Sequence, residues 1–356
     1  MNLVYKPDFE ESMKRVDAWF AHEVLDRAPV RFAEHNAEHN KKKGVTKTWP
    51  TLRDRWFDAE YQVESFLADL PHQQFLGETF PIFNPNLGPG VFAAMFGMEL
   101  EYGEVTSWAQ HCVHDWSDLK KLKFDTNSPY YTKIEELTQL ALKKCAGKSL
   151  VGYTDLHGSV DCVVDWRNPQ ELCMDLVDFP DEVKAATAMA DAEFLKLYDH
   201  YDAVLKKGGQ KYSVNWMGIP AKGKMAVPSC DFISMVSQDG FDEFYLPSLL
   251  KEVRHCSHNI FHADGKGFVR HLDRLLGIPE IQAIQWVQGV GDDRPIMQWL
   301  PVIKKIQAAG KSVIVDLFPN ELEDFIKSTS PKGVYLWIAA TPEEQPAILK
   351  RLEKWK

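Results

Sequence analysis

The residues of this chain best suited to chemistry are His262 and Asp264, in the segment "NIFHADGKG" that starts at Asn259. Side chains two positions apart on an extended backbone point to the same side, so the imidazole and the carboxylate would stand together. Such a pair can bind a divalent metal, or it can act as a general acid and base. The alternative for Asp264 is a structural role as the cap of the following helix.

The elements that would position this pair repeat along the C-terminal half of the chain. Short apolar segments followed by a loop and an amphipathic helix recur there, as in "NIFHADG", "IQAIQWVQG" and "KSVIVDL". Strands that alternate with helices predict a parallel sheet with both faces covered. No GxGxxG motif follows the first strand, which disfavours a dinucleotide-binding sheet. We therefore predict the α/β class and a single (β/α)8 TIM-type barrel over residues 1–356, with an N-terminal helical extension over residues 1–26.

Apolar residues at helical spacing predict further helices outside these repeats. One covers the first twenty-five residues, another covers residues 52–70, and two more are divided near Pro180. A short strand is expected from Val30 to Phe32, ahead of a polar loop. The repeats themselves are expected to place helices after each strand.

In a barrel of this kind the active site lies at the carboxyl ends of the strands, so polar and aromatic residues there form the candidate pocket. His157 is the third catalytic candidate beside His262 and Asp264. The residues expected to bind substrate or line the pocket are His35, Asn36, Asp155, Asn215, Trp216, Gln285, Trp286, Gln288 and Asp316. Each class has a structural alternative: tryptophans as core residues, aspartates as helix caps, and His157 as a turn residue. Cys230 is expected to be a buried, inert thiol, while Asp231 could line the pocket mouth.

The composition excludes several classes of function. The formal net charge is −10 at pH 7, which argues against a general nucleic-acid-binding protein. No apolar run is long enough to span a membrane, and the first residues lack the apolar stretch of a secretory signal. The six cysteines show no CxxC spacing, so we expect reduced thiols and a cytoplasmic location.

Several segments resemble the uroporphyrinogen decarboxylase superfamily, which also contains zinc-dependent corrinoid and coenzyme M methyltransferases. "RAPVRF" resembles the first strand of that family. "HADG" falls where the methyltransferases carry His-x-Cys-Gly. The segment "SMVSQDGFDEFYLPSLLKEV" resembles the family's Ser-Pro-x-x-Phe-x-x-Phe-x-x-Pro helix start through Ser237, Phe241, Phe244 and Pro247. The resemblance covers most of the chain and implies the same barrel fold.

The departures from the family pattern bear on the reaction. Where the decarboxylases carry Arg-Gln-Ala-Gly-Arg, this chain reads "FAEHNAEHNKKKG". Their Phe-Ser-Asp is replaced around "FPIFNPN", which makes Asn84 a candidate substrate-binding residue and argues against tetrapyrrole decarboxylation. The zinc methyltransferases use one histidine and two cysteines, and here Asp264 replaces the first cysteine while Ala339 and Ala340 stand near the second. The resemblance thus implies zinc or another divalent metal bound by His262 and Asp264, or a site without metal.

Three functions are compatible with these residues. The first is a methyltransferase that passes a methyl group from a small substrate to a corrinoid protein docked at the barrel mouth. The second is a carboxy-lyase without a cofactor, in which His262, His157 or the Lys41–Lys43 run protonates a carbanion. The third is a ligand-binding barrel without chemistry. Ionisable residues at several strand ends favour catalysis, and we predict methyl transfer; a homodimer is a further candidate assembly.

Overall fold

The computed structural model describes residues 2–33 and 47–356. His35, Asn36 and the Lys41–Lys43 run lie outside the described residues, so their expected roles stay predictions. The described strands, in chain order, are β1 (Val30–Ala33), β2 (Ile82–Phe83), β3 (Glu99–Tyr102), β4 (Ser107–Gln110), β5 (Leu150–Val151), β6 (Tyr212–Ser213), β7 (Ala221–Lys222), β8 (Met225–Ala226), β9 (His258–Asp264), β10 (Ala283–Val287), β11 (Ser312–Leu317) and β12 (Val334–Ala339).

Helices of very different lengths connect these strands, together with short 3₁₀ turns. The α-helices are α1 (Phe9–Phe20), α2 (Leu52–Trp56), α3 (Ala59–Asp69), α4 (Val91–Ala94), α5 (Pro129–Lys144), α6 (Ser159–Arg167), α7 (Pro169–Asp178), α8 (Pro180–Lys207), α9 (Gln238–Gly240), α10 (Leu246–His255), α11 (Leu272–Leu276), α12 (Leu300–Ala308), α13 (Leu322–Ser328) and α14 (Gln345–Leu352). Several begin with proline in the first turn, where the missing N–H costs no hydrogen bond.

Six of the strands form one parallel sheet in the order β1–β12–β11–β10–β9–β8. Its central strands are buried almost throughout, as expected when a parallel sheet is covered on both faces. Buried apolar side chains between Leu3 and Trp355 form one continuous core around it. The predicted α/β class with a parallel sheet is confirmed. Within residues 2–33 and 47–356 the large sheet has six strands, and the closed eight-stranded barrel stays a prediction.

The other described strands form three two-stranded sheets. β2 pairs with β5 in parallel, while β3 with β4 and β6 with β7 are antiparallel. Three backbone hydrogen bonds connect residues next to β2, β5 and β6 with one another and with β1, the edge strand of the large sheet. Glu78 N donates to Val30 O at 2.7 Å, Gly152 N donates to Phe83 O at 2.8 Å, and Tyr153 N donates to Val214 O at 2.8 Å. Strand edges near β1, β2, β5 and β6 are therefore adjacent in space.

The N-terminal helix α1 covers the amino ends of the large sheet. The ring of Trp19 lies edge-on to Tyr335, with 5.3 Å between centroids, and Ser312 Oγ donates to the Trp19 carbonyl. Phe20 packs on His258 with centroids 4.8 Å apart. Since Ser312 and His258 begin β11 and β9, this end of the sheet is closed and the carboxyl ends remain for a site.

Two predicted helices are shorter than expected because local residues break them. The twelve-residue α1 ends before His22, whose positive φ of 55° does not fit a helix. The helix expected over residues 52–70 is two helices, because Asp58 leaves the helical conformation and its carboxylate accepts from Tyr61 N at 3.0 Å as the cap of α3. The predicted division near Pro180 is confirmed.

Candidate functional site

β9 carries His262 and Asp264 near its carboxyl end. β10 places Gln285 beside His262 in register, and Nδ1 of His262 lies 2.6 Å from Oε1 of Gln285. Because an amide oxygen can only accept, Nδ1 carries the proton and the lone pair lies on Nε2. Gln285 thus orients an imidazole whose Nε2 can bind a ligand.

Asp231 joins this pair from a separate segment. The backbone N–H of His262 donates to Pro228 O at 2.9 Å, which holds the segment before the 3₁₀ turn Asp231–Met235 along β9. One ligand atom from each of Asp231, His262 and Asp264 lies within 4.8 Å of the other two. We call these three residues the Asp-His-Asp cluster, and their oxygen and nitrogen donors could hold a divalent metal.

Asp264 does not cap the helical turn that follows it. That turn begins at Lys266, its cap position is Gly265 with a positive φ of 83°, and no side chain caps it. The Asp264 carboxylate is exposed, and it accepts no hydrogen bond from residues 2–33 and 47–356. Its oxygens are therefore available to a ligand.

His157 stands between two carboxylates at the start of α6. Its Nε2 lies 3.2 Å from Oδ1 of Asp155, and its Nδ1 lies 3.6 Å from Oδ2 of Asp161. Burial opposes charge on the imidazole, yet the two carboxylates outweigh it and raise the pKa of His157 well above its ordinary value. His157 is thus a protonated, partly enclosed imidazolium near neutral pH.

Asp161 connects His157 to the Asp-His-Asp cluster. Its Oδ2 accepts from the backbone N–H of Asp231 at 3.1 Å, and its Oδ1 accepts from Cys230 Sγ at 3.2 Å. Burial raises the pKa of the Cys230 thiol, which therefore remains a protonated donor, in keeping with the inert role expected for it. Burial and then the Asp161 carboxylate raise the pKa of Asp231, while His262 and His157 oppose that shift. His157 and His262 therefore both act electrostatically on Asp231.

Trp216 forms a wall beside the cluster, with its ring edge-on to the His262 imidazole and 5.2 Å between centroids. The preceding residue, Asn215, is buried, and its Oδ1 accepts from Met217 N at 3.2 Å. This bond folds the chain into a turn that reaches Gly218, where φ is 74°. Asn215 therefore shapes the turn that holds Trp216 against the imidazole.

Trp286 does not face the cluster, and the expectation of a shared pocket is corrected for this residue. Neighbours on a strand point to opposite faces, so Trp286 turns away when Gln285 faces His262. Its side chain is 1% exposed and its ring packs on Trp299, with centroids 5.0 Å apart, on the helix-covered side of the sheet. Trp286 is a core residue, which is the alternative that the sequence left open.

Three further polar residues lie at the ends of strands and outside the Asp-His-Asp cluster, namely Asp316, Gln288 and Asn84. Oδ1 of Asp316 lies 3.2 Å from Nη2 of Arg294, and Gln288 Nε2 donates to the Asp316 carbonyl at 2.8 Å. Asn84 follows β2 and lies so close to Gly152 that a Cβ on the glycine would be 2.2 Å from Oδ1 of Asn84. Asp316 and Gln288 lie at strand ends as expected, whereas the strand before Asn84 was not predicted. The proposed contacts of all three with substrate stay predictions.

The comparisons with family models and with curated proteins do not assign this chain to a family. No family model and no curated protein matches the chain. The resemblance to the uroporphyrinogen decarboxylase superfamily therefore rests on the sequence motifs alone. No helix within residues 2–33 and 47–356 combines the length and the apolar character that crossing a membrane requires.

Two residues of the site were not assigned from the sequence. Asp161 lies one helical turn after His157, and a histidine–aspartate pair at that spacing was a visible signal. Asp231 was placed only at the pocket mouth, because its approach to His262 depends on pairing between the Pro228 segment and β9. Long-range pairing of this kind leaves no local pattern.

Proposed function

We propose that the chain is a metal-dependent methyltransferase of the uroporphyrinogen decarboxylase superfamily, which passes a methyl group from a small substrate to a corrinoid protein. The observation that carries the proposal is the Asp-His-Asp cluster near the carboxyl end of β9. Parallel α/β barrels hold their reacting groups at this end of the strands. Two of the three residues come from the motif that resembles the methyltransferase zinc motif.

The donor set of the cluster fits a divalent metal. Two carboxylates and a neutral imidazole bring a net charge of −2, which balances a divalent cation such as zinc. With metal–ligand bonds of about 2.0–2.2 Å, ligand atoms of a tetrahedral site lie about 3.3–3.6 Å apart. The three ligand atoms lie within 4.8 Å of one another, so a bound metal would draw them closer together. A bound metal would act as a Lewis acid on the substrate atom that carries the methyl group.

The residues around the cluster have complementary tasks in this reaction. Gln285 holds the His262 ring so that Nε2 faces the site. Trp216 excludes water from one side of the imidazole. When the bond from the methyl carbon to the substrate heteroatom breaks, the heteroatom keeps the electron pair and needs a proton. His157, charged between Asp155 and Asp161, is placed to donate it.

The proposal includes a closed eight-stranded barrel. Hydrogen bonds between residues 78 and 30, 152 and 83, and 153 and 214 continue the six-stranded sheet past β1 toward β6, which supports closure. In a closed barrel the loop after β5 and the end of β9 meet at one mouth. His157 and His262 would then act on the same molecule.

A carboxy-lyase is the second candidate, and the charged His157 favours it. Loss of carbon dioxide leaves an electron pair on the substrate carbon, and that carbon must gain a proton. An imidazolium held between two carboxylates can supply this proton without a metal. In this case the Asp-His-Asp cluster would bind polar groups of the substrate.

Metal analysis separates the two candidates. Protein purified without added metal is expected to hold about one equivalent of a divalent metal, because three protein ligands suffice for a catalytic zinc site. His262→Ala and Asp231→Asn are expected to lose the metal and methyl transfer to added corrinoid. Glu323→Gln is the matched control, because this carboxylate pairs with Arg351 at the surface. Metal-free native protein that releases carbon dioxide from a substrate would favour the lyase.

A further inference from the structure

Arg31 of β1 is a cation without an acidic partner among residues 2–33 and 47–356. Its guanidinium lies over the ring of Trp337, with 4.7 Å from Cζ to the ring centroid, and the two residues are in register on β1 and β12. Nη1 donates to the Met217 carbonyl at 2.7 Å. Within residues 2–33 and 47–356 this is the one hydrogen bond of the guanidinium, and no carboxylate pairs with it.

Other enclosed arginines of the chain differ from Arg31. Nη1 of Arg27 lies 2.7 Å from Glu78 Oε2, and Nε of Arg167 lies 2.7 Å from Asp175 Oδ2. A guanidinium has five N–H donors, and removing it from water without a counter-charge is costly. Burial accordingly lowers the pKa of Arg31. Apart from the bond to Met217, the N–H donors of Arg31 have no acceptor among the described residues, and its charge has no acidic partner there.

Trp337 contributes a second unused donor beside this guanidinium. Its Nε1 is buried and has no hydrogen-bond partner in the part of the chain that the structure describes. Indole N–H groups usually find an acceptor when they are buried. The remaining guanidinium donors and this indole N–H lie side by side without acceptors, which indicates a place for a ligand with acceptor oxygens.

The same turn links Arg31 to the Asp-His-Asp cluster. Met217 accepts from the guanidinium, and Trp216, the residue before it, packs on His262. A Cβ at Gly218 would lie 3.0 Å from Nη1 of Arg31, so the turn closes tightly over the guanidinium. A small molecule that reaches from His262 along Trp216 would meet Arg31 at its other end.

We propose that Arg31 and the indole N–H of Trp337 bind a carboxylate group of the substrate. The planar guanidinium matches the two oxygens of a carboxylate. Acidic residues surround this end of the sheet, since Asp316 is in register with Trp337 and the cluster contains two more carboxylates. A singly charged carboxylate is therefore favoured over a doubly charged phosphate.

This inference rests on the proposed function in one respect, namely that the bound molecule is the substrate. The carboxylate would be fixed under the turn at Met217, and the methyl-bearing end would face Trp216 and His262. Binding of a carboxylate requires neither metal nor turnover. A failed methyl-transfer assay therefore leaves the carboxylate site open to test on its own.

Calorimetric titration of the full chain with benzoate and with benzamide tests the site, because the two probes share a shape and differ in charge. Native protein is expected to bind benzoate and to bind benzamide far more weakly. Arg31→Gln should weaken benzoate binding about tenfold or more, since a charge-assisted pair is lost. Trp337→Phe, which keeps the ring and removes the N–H, should weaken it about threefold or more.

Arg351→Gln is the matched control, because Arg351 pairs with Glu323 at the surface and should not affect binding. The melting temperature of unliganded Arg31→Gln should be unchanged or higher, because an unpaired enclosed charge is removed. A purely structural Arg31 predicts a lower melting temperature with unaltered benzoate binding. That result, absence of benzoate binding by native protein, or tighter binding of phenyl phosphate than of benzoate would overturn the proposal.

Discussion

At the scale of single residues, the carboxylates near His262 differ in the hydrogen bonds that they accept. Asp161 accepts from Cys230 and from the backbone of Asp231, so its removal would leave buried donors unpaired. Asp264 accepts no hydrogen bond from residues 2–33 and 47–356, and it is exposed. The effect of changing Asp264 should therefore fall on function.

Asp264→Asn is expected to abolish metal retention and turnover, because it keeps the shape of the side chain and removes the charge. The free energy of unfolding should change by less than about 1 kcal/mol, as for other exposed positions. Metal content and denaturant unfolding measure the two effects. Full activity in this variant would show that the charge of Asp264 is not needed for the reaction.

Gln285→Leu tests whether the amide positions His262. The substitution removes the acceptor of the Nδ1 proton, so the imidazole loses its fixed orientation. Metal affinity should fall about 10–100-fold, the usual cost of losing such a partner. Gln285→Glu keeps an acceptor and should restore most of the affinity. Metal titration of both variants gives the comparison, and equal affinity in Gln285→Leu would contradict the positioning role.

His157 should make stability depend on pH. Although burial opposes its charge, Asp155 and Asp161 raise its folded pKa above the ordinary 6.5, so between the two values the folded state binds more protons than the unfolded state. This contribution is complete below pH 6.5 and is lost as pH rises through the folded pKa. The excess melting temperature of native protein over His157→Gln should shrink as pH rises above neutrality. A difference that is constant with pH would contradict the assignment.

At the scale of elements, the order of strands and helices was predictable, whereas strand faces were not. "NIFHADG" and "KSVIVDL" were recognisable as strands because each is a short apolar run between helical patterns. A strand buried on both faces has apolar residues on both, so the sequence could not show that Gln285 faces inward and Trp286 outward. The break at Asp58 depended on a single side-chain cap.

The contact between the ends of β2 and β5 gives a prediction at this scale. Gly152→Ala would place a Cβ 2.2 Å from Oδ1 of Asn84 and 3.3 Å from the Val214 carbonyl oxygen, so the Asn84 side chain or the backbone around it must shift. We expect a loss of about 1–3 kcal/mol in the free energy of unfolding, typical of overpacking. Adding Asn84→Ala should recover most of it. Denaturant unfolding of the single and double variants measures the recovery, and additive losses would show that the contact is unimportant.

At the scale of the whole molecule, the two ends of the large sheet have separate tasks. α1 closes the amino ends through Trp19 and Phe20, while the candidate site occupies the carboxyl ends. The sequence predicted a site at the carboxyl ends, because a barrel-type sheet holds its functional residues there. It did not predict that α1 would cover the amino ends. It could not predict that Asp231 would join His262, since that contact depends on how distant segments pair.

The pairing of β1 with β12 has a consequence for how the chain is made. Val30 lies opposite Leu336, so two strands that are far apart in the sequence, and are synthesised at different times, hydrogen-bond to each other. Contacts between residues far apart in sequence form slowly, and an unpaired strand edge invites association with other chains. During translation the growing polypeptide should therefore depend on chaperones until β12 has left the ribosome. Ribosome-bound chains that stop before Val334 should aggregate when released, whereas chains that include β12 should fold.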